Sequence, residues 1–520
     1  MASRLALAIC ALIALGVSPT VASGPDFAHP ASPHYPDYQP TAGANSRPIL
    51  VIYEEFSDLP TPPGRGQSWL SHRIFGPAYP NVVGYYEARS FGHVSFWPAY
   101  DTCASGDGTG GDGVVLVQSG TRASWNALTD GQRIRDALVA ADDCVDYATF
   151  DRNGDRVIDM QELAVIKVEV QPGDDGFGTG GGAASRYTDN GSRLDGVSLD
   201  GMLVGLANSA TNMMSVIHEV MHVAFGMPRD WYQFGIDGYD VMAATISDAE
   251  FLEGVSSWNA MHLGWTRPTV ITRDGYYDLP SYGRTGQAIL LYDPAKGRRD
   301  YLLVENRTLT PGSYDEDPAA MRGLNVWRVD ESRYYEDPAS ASPIARIRPC
   351  GNATCPDGWY FSTFDGDSRT FPARTVTPRW NDGTRARVAI RAIGAAGPSM
   401  RAFYDVPGPG VLVDCFSASG NGNRATYTVS AGTRLVIGQR LMNTGDATGR
   451  FDVRAIRRPS GWRVTNQARL PLRQHRAAST AVSVDVPRGT RAGMYVVRLE
   501  ARSSGDHAVR STCSVNVRVR

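Results

Sequence analysis

The sequence predicts an α+β amino-terminal domain, followed by a β-rich region and a carboxy-terminal all-β sandwich. Three observations lead to this fold class. Residues 213–225 are apolar nearly all round and have the length of a buried helix. Short strand-like runs predominate from about residue 270 to 405. Beyond residue 411, apolar and polar residues alternate between turn signals, as in an Ig-like sandwich.

The amino terminus reads as a secretory signal over residues 1–23. Arg4 supplies the positive charge, residues 5–17 are apolar but too few to span a bilayer, and small residues around Ala22 offer a cleavage point. An irregular leader rich in Pro, Ala and Tyr is expected at 24–46, then the α+β domain at 47–270. A β-rich accessory region is expected at 271–407 and the sandwich at 408–520, after a Pro- and Gly-rich linker.

The cysteines fit export. Cys10 lies in the signal, and the six that remain allow fifteen disulfide pairings. The simplest arrangement keeps each bridge within one region: Cys103–Cys144, Cys350–Cys355 and Cys415–Cys513. We therefore expect a secreted, extracellular protein without a membrane span. Lys occurs only twice while Arg is abundant, which indicates a GC-rich bacterial coding composition.

The net charge of the chain excludes few classes of binding partner, but the charged residues are unevenly distributed along the sequence. A net charge of −3 gives no general attraction to nucleic acid, and no specific nucleic-acid partner is expected. Residues 450–520 contain fifteen Arg against four acidic residues. The general Arg bias of the chain is the favoured explanation of this excess, with binding of an anionic cell surface or polymer by the carboxy-terminal module as the alternative.

The predicted helix carries the motif His-Glu-x-x-His. Residues four apart lie on one helix face, so His218 and His222 can offer two imidazole nitrogens to one zinc ion. Glu219 can then take a proton from a zinc-bound water. The helix should begin near Asn212 and end at Gly226-Met227-Pro228. A third protein ligand is required, and Asp230 is the nearest candidate after the chain turns.

Other residues around the motif are given weaker roles. Met242 is expected beneath the metal as an apolar floor, and Tyr232 and Tyr239 are candidate oxyanion donors. His262 is expected to be a packed or surface residue rather than a ligand. The Gly-rich residues 172–185 lack the Lys of a phosphate loop and read as a mobile surface loop. Residues 199–206 read as an edge strand that could pair with extended substrate.

A second metal site is predicted upstream of the helix. Oxygen donors occupy positions 1, 3, 5, 7, 9 and 12 of a twelve-residue loop, which is the spacing of an EF-hand calcium loop. Position 6 is Arg156 rather than Gly, and a strand follows the loop. We expect a structural calcium site between a helix and a strand, with a plain Asp-rich turn as the alternative. The predicted ligands are Asp151, Asn153, Asp155, Val157, Asp159 and Glu162.

An ordered series of motifs resembles the M6 family of secreted zinc metallopeptidases, the immune inhibitor A-like group. The resemblance covers roughly residues 47–405 and implies a zincin-like catalytic domain at 47–270. It rests on the strand before Phe56, Ser90-Phe91-Gly92, the Asp-rich loop, the zinc helix, Gly238-Tyr239-Asp240-Val241-Met242, Leu263-Gly264-Trp265 and the segments 301–307 and 323–327.

The resemblance implies His218, His222 and Asp230 as zinc ligands and Glu219 as catalytic base. The family places Gly three and Asp six residues after the second histidine, whereas here Gly226 is four and Asp230 eight residues after it. Asp237, Glu250 and Glu253 therefore stay open as third ligands.

The sequence thus predicts a zinc endopeptidase that acts on proteins or peptides. Two alternatives from other classes are a secreted binding or adhesion protein with a structural zinc site, and a zinc hydrolase of non-peptide substrates.

Overall fold

The chain folds into mixed α/β, β-rich and sandwich parts in sequence order. The computed structural model describes residues 46–103, 111–171, 182–187, 193–207, 213–227, 240–243, 254–293, 296, 300–307, 314, 323–331, 344–346, 360–361, 370–371, 375–376, 378–380, 382–408, 410–415, 425–445, 447–464, 468–474, 476–507 and 509–520. Within these residues no helix is both long and apolar enough to cross a bilayer.

The amino-terminal part is built on a six-stranded sheet, the first sheet, in the order β2-β1-β4-β6-β5 with β3 also paired to β1. Strands β1, β2, β3, β4 and β6 are parallel, and β5 runs antiparallel to β6. The strands are β1 (Arg47–Phe56), β2 (Phe96–Pro98), β3 (Val114–Ser119), β4 (Ala164–Glu169), β5 (Gly182–Arg186) and β6 (Leu203–Ala207). The helices are α1 (Gln67–Phe75), α2 (Val82–Arg89), α3 (Arg122–Asn126), α4 (Asp130–Ala141), α5 (Met213–Phe225), α6 (Ser257–His262) and α7 (Tyr282–Thr285).

Both faces of the first sheet are covered, because successive side chains of a strand point to opposite faces. In β1, Val51 and Tyr53 pack into the same apolar cluster as α5. Leu50 and Ile52 pack on the other face with α4. Burial on both faces explains why residues 49–53 of β1 form a continuous apolar run rather than an alternating one.

Helix α5 is buried along its whole length, as its all-round apolar sequence predicts. It ends where the sequence analysis places its stop. Gly226 adopts a φ of +63°, the left-handed conformation that terminates helices, and its N–H donates to the carbonyl of His222 over 2.8 Å.

The first sheet corrects two expectations. Residues 182–186 of the Gly-rich segment form strand β5 rather than loop, and they pair through backbone groups that leave no side-chain pattern. Strand β6 is an inner strand between β4 and β5, so in the described part of the chain β5 is the edge strand on the α5 side. The remaining Gly-rich residues, 172–181, lie outside the described part.

Two further sheets follow. The second sheet has the order β14-β13-β11-β10-β9-β7 with β12 paired to β11, and the third has the order β15-β16-β17-β8. Their strands are β7 (Thr269–Val270), β8 (Gly275–Pro280), β9 (Ile289–Tyr292), β10 (Asp300–Arg307), β11 (Gly323–Asp330), β12 (Ile344–Arg346), β13 (Tyr360–Phe361), β14 (Thr370–Phe371), β15 (Thr375–Val376), β16 (Ala389–Arg391) and β17 (Ser399–Asp405).

The second sheet is shared between two cores. Leu302 and Val304 of β10 face the third sheet. Their neighbours Tyr301 and Leu303 join the cluster that contains α5. The second sheet of the β-rich accessory region therefore contributes to the same apolar core as the helix that carries the His-Glu-x-x-His motif.

The carboxy-terminal part is a β-sandwich, as predicted. One sheet has the order β18-β20-β24-β22 and the other, the basic sheet, has the order β19-β26-β25-β21-β23. The strands are β18 (Val411–Cys415), β19 (Ala425–Val429), β20 (Arg434–Asn443), β21 (Gly449–Arg457), β22 (Arg463–Val464), β23 (Ala468–Leu472), β24 (Ala477–Asp485), β25 (Gly493–Ser503) and β26 (Arg510–Val519). One apolar cluster lies between the two sheets.

Two of the predicted disulfides are present. Cys415 and Cys513 connect the two sandwich sheets, and Cys103 and Cys144 connect the loop after β2 to the segment after α4. The predicted Cys350–Cys355 pair lies outside the described residues.

Candidate metal centre

Helix α5 presents its two histidines as a pair. The Nε2 atoms of His218 and His222 lie 3.2 Å apart, and the imidazole rings are inclined by 69°. Both side chains are buried, with residue exposures of 1% and 7%. The four-residue spacing on one helix face produces this approach.

A hydrogen bond at Nδ1 of each imidazole ring fixes the tautomer of that ring. His218 Nδ1 lies 2.9 Å from the carbonyl oxygen of Val241, and His222 Nδ1 is hydrogen-bonded to the carbonyl oxygen of Met227. A carbonyl can only accept, so both Nδ1 atoms carry the hydrogen and neutral rings have lone pairs on Nε2.

Two facing lone pairs at this distance suit a shared cation. Two tetrahedral ligands at ordinary Zn–N distances would lie about 3.3 Å apart. Histidine ligands of zinc usually donate their other N–H to a carbonyl or carboxylate, as both rings do here. The donor set and its geometry therefore fit zinc.

Glu219 occupies the position next to His218 and is only 2% exposed. Its backbone comes close to strand β6, because a Cβ added to Gly205 would lie 2.9 Å from Glu219 Cβ and 2.7 Å from Ile166 Cδ1. Gly205 thus permits the close approach of α5 to the first sheet, which no larger residue would allow without a shift.

Tyr86 of helix α2 and Arg47 of strand β1 hold α5 in place. The Tyr86 hydroxyl donates to the carbonyl of Ile217, and burial raises the pKa of Tyr86 well above its ordinary value, with a smaller contribution from the Glu219 charge. Arg47 donates to the carbonyl of Ala224 over 2.7 Å and satisfies a carbonyl in the last turn of the helix.

The segment 240–243 is braced by Asp240. Its Oδ1 accepts from the N–H of Met242 over 2.8 Å, and its Oδ2 accepts from the N–H of Ser256 and the side-chain amide of Asn259 over 2.7 and 2.8 Å. Burial raises the pKa of this carboxyl, and these hydrogen bonds act in the opposite direction. Asp240 thereby fixes the segment whose Val241 carbonyl orients His218.

Met242 is fully buried in the same apolar cluster as α5. Its expected position beneath a metal stays a prediction. Tyr232 and Tyr239, the candidate oxyanion donors, lie outside the described residues.

The candidates for a third ligand also lie outside the described residues. Asp230 and the alternative Asp237 fall in 228–239, and Glu250 and Glu253 fall in 244–253. Among the described residues, no group of three or more His, Cys, Asp or Glu side chains is arranged to hold a metal. The assignment of Asp230 stays a prediction.

His262 does not join the pair. Its Nδ1 is 2.9 Å from the carbonyl of Trp258, its Nε2 is 3.3 Å from Glu331, and its ring lies over Trp258 with the centroids 4.2 Å apart. These contacts place His262 in a packed side-chain cluster at the second sheet, in agreement with the expectation of a packed residue.

The predicted calcium loop is folded into a compact turn between a 3₁₀ turn (Tyr147–Phe150) and β4. Glu162 Oε1 accepts from the N–H groups of Arg152 and Asn153 over 2.8 and 3.2 Å. Asp151 Oδ1 accepts from Gly154 over 2.8 Å. Arg156 adopts a φ of +63°, so this residue takes the left-handed turn that usually requires Gly. Calcium binding by the predicted ligands stays a prediction.

Sequence reasoning missed the residues that support the histidine pair. Gly205, Tyr86, Arg47 and Asp240 are distant in sequence from the motif, and their roles depend on tertiary packing. A signal existed for Asp240, because it lies in the segment Gly238–Met242 that carries part of the family resemblance, and Arg47 and Tyr86 lie in or next to other segments that carry it.

Comparisons with known proteins concern the sandwich. Residues 429–504 match the family described as the NPCBM-associated, NEW3 domain of alpha-galactosidase. This match begins at the end of β19 and ends just after β25. No curated protein sequence matches the chain.

Two solved structures show partial similarity. One is a family 123 glycoside hydrolase from Clostridium perfringens, with 10% identity over 21% of this chain and 27% of that chain and a TM-score of 0.17. The other is the ASH/PapD-like domain of human CEP192, with 13% identity over 21% of this chain and 84% of that domain and a TM-score of 0.16.

Proposed function

We propose that this protein is a secreted zinc-dependent endopeptidase with a zincin-like amino-terminal domain. The observation that carries the proposal is the His218–His222 pair, whose Nε2 atoms face each other while both Nδ1 atoms are hydrogen-bonded to carbonyls. The mixed sheet behind α5, with its antiparallel edge strand β5, supports the same conclusion.

The chain's own residues would divide the chemistry as follows. His218, His222 and Asp230 would hold the zinc, which when bound would supply Lewis-acid chemistry at the scissile carbonyl. Glu219 would take a proton from the attacking water and deliver it to the leaving amine. Tyr86 and Asp240 keep α5 and the Val241 carbonyl in place, so the base and both imidazoles are pre-oriented.

The outer edge of strand β5 is a candidate binding site for an extended substrate. It pairs with β6 on one side, and within the described part of the chain no strand pairs with its other side. An extended peptide can add to such an edge through main-chain hydrogen bonds. This arrangement favours a protein or peptide substrate over a small molecule.

The loop at 151–162 is proposed as a structural calcium site of the same domain. The sandwich is proposed as an accessory module, which the match to an alpha-galactosidase-associated domain supports. The two disulfides support an extracellular location, because such bonds persist in oxidising compartments.

Digestion of casein by the purified protein, with and without a chelator, tests the proposal. We expect proteolysis that the chelator abolishes and that added zinc restores. Casein left intact by zinc-loaded protein would contradict the proposal. A parallel panel of small amide and ester substrates separates the rivals: activity on the esters alone indicates a hydrolase of non-peptide bonds. Zinc without any hydrolysis indicates a binding or adhesion protein.

A further inference from the structure

The outer face of the basic sheet carries an unusual concentration of arginine. Alternate residues such as Val497 and Val517 point into the sandwich core, so their neighbours point outward. Eight arginines on β21, β23, β25 and β26 share this outer face: Arg450, Arg454, Arg457, Arg469, Arg498, Arg502, Arg510 and Arg518. The acidic residues among them are Asp452 and Glu500.

The general Arg bias of the chain does not explain this distribution, because the described outer face of the opposite sheet carries fewer arginines. Its described outer positions carry Arg434, Arg440 and Arg463, and the first and last of these lie at Asp485. The two faces belong to the same domain, so a coding bias toward Arg would affect both equally. The charge is therefore specific to one face.

The two acids of the basic face are already engaged. Glu500 is 2.7 Å from Arg454, and Asp452 is 2.7 Å from Arg469. Arg457 pairs with Arg498 across β21 and β25 just after a shift in strand register between Ala455 and Arg457, which puts Arg457 on the same face as Arg498, and both are exposed. Neither forms an ion pair with a described carboxylate. Like charges opposite each other destabilise a sheet, and a bound anion between them would remove that cost.

We propose that the basic sheet binds an acidic polysaccharide, with carboxylates of the polymer between Arg457 and Arg498. Guanidinium groups match carboxylates in a bidentate geometry. The described outer positions of the sheet carry no aromatic side chain, which disfavours single-stranded nucleic acid because its bases are bound by stacking.

A lipid surface fits less well. The exposed apolar side chains of β25, Met494 and Val496, lie toward one end of the strand, whereas the arginines extend over four strands. The domain also contains the disulfide Cys415–Cys513. Such bonds persist in oxidising compartments outside the cytosol, where the protein would encounter acidic polysaccharides.

Titration of the full-length protein with polygalacturonate tests this inference, with neutral dextran as reference. We expect salt-dependent binding to polygalacturonate alone. The double variant R457S/R498S should weaken it about tenfold, as expected when two of the cations that neutralise the polymer are lost. The matched control R434S/R440S removes two exposed arginines from the opposite sheet and should bind within about twofold of wild type.

The readouts separate this inference from the peptidase proposal. Both double variants should digest casein as the wild type does, and R457S/R498S should unfold at the same or a higher temperature because a like-charge pair is gone. Equal losses in the two variants, no binding at low salt, or equal binding to dextran would overturn the inference. Tighter binding to duplex DNA or to phosphatidylglycerol vesicles than to polygalacturonate would overturn it as well.

Discussion

At the scale of single residues, the orientation of the histidine pair in α5 depends on two backbone carbonyls that accept from the Nδ1 atoms. The His-Glu-x-x-His spacing predicted that His218 and His222 would face one point, and their Nε2 atoms lie 3.2 Å apart. The carbonyls of Val241 and Met227 that fix both tautomers could not be predicted. They depend on how the chain returns to α5 after Gly226, and backbone acceptors have no residue signature.

Asp240 gives the first residue-scale prediction. Asp240→Asn replaces one acceptor oxygen with a donor beside the N–H of Ser256 and the amide of Asn259. The Val241 carbonyl should lose its fixed position, and zinc affinity should fall about 10- to 100-fold, as when other outer-shell partners are removed. Competition with a chromogenic chelator measures this affinity without reference to activity.

Asp136→Asn, the same chemical change at an exposed position of α4, is the control and should leave zinc affinity unchanged. If Asp240→Asn retains the wild-type affinity for zinc, the bracing role of this carboxylate is wrong.

At the scale of secondary structure, helix α5 and strand β1 were predictable because their apolar runs are long. Strand β5 was not, since Gly182-Ala183-Ala184 shows neither alternation nor β-branched residues. Its pairing is supplied by β6 and not by local preference. Sequence therefore revealed the helix of the site but misassigned the edge strand beside it.

The contact between α5 and β6 yields a prediction about packing. In Gly205→Ala the new Cβ would lie 2.7 Å from Ile166 Cδ1 and 2.9 Å from Glu219 Cβ, so helix and sheet must separate. We expect a loss of about 1–3 kcal/mol in the free energy of unfolding, measured by urea denaturation.

Gly438 offers a matched control because it lies in strand β20 and a Cβ there meets nothing within 4 Å. Gly438→Ala should leave the free energy of unfolding unchanged or slightly higher. Equal effects of the two substitutions would show that α5 does not depend on close approach at Gly205.

At the scale of the whole molecule, the three-part order was readable from the pattern of strands and linkers, but the contacts between parts were not. The second sheet shares its core with α5 through Tyr301 and Leu303, a relation that no local pattern encodes. At the other junction, Asp274 accepts from the N–H of Val406 over 2.8 Å and from the hydroxyl of Thr444 in the sandwich.

This junction should make stability depend on pH. Burial, followed by the nearby Asp405 carboxylate, raises the pKa of Asp274 from 3.8 to about 8. Between pH 3.8 and about pH 8, the folded protein therefore keeps a proton on Asp274 that the unfolded chain releases. Its contribution to stability is fully present at acidic pH and is lost as the pH rises through about 8.

Asp274→Asn removes this titration, so its free energy of unfolding should fall less than that of the wild type between about pH 5 and pH 9. Urea denaturation across this range measures the difference. Asp278→Asn, at an exposed carboxylate of the adjoining strand β8, should follow the wild type. Identical pH profiles for wild type and Asp274→Asn would exclude Asp274 as the titrating group.

Measuring zinc content and casein hydrolysis together in the wild type and in Glu219→Gln tests the proposed peptidase activity directly. We expect about one zinc per chain in both proteins, because the histidine pair is unchanged. We also expect turnover to fall about a thousandfold in the variant, because the general base is lost. A metal-free wild type purified under zinc-replete conditions, or equal turnover by Glu219→Gln, would contradict the peptidase proposal.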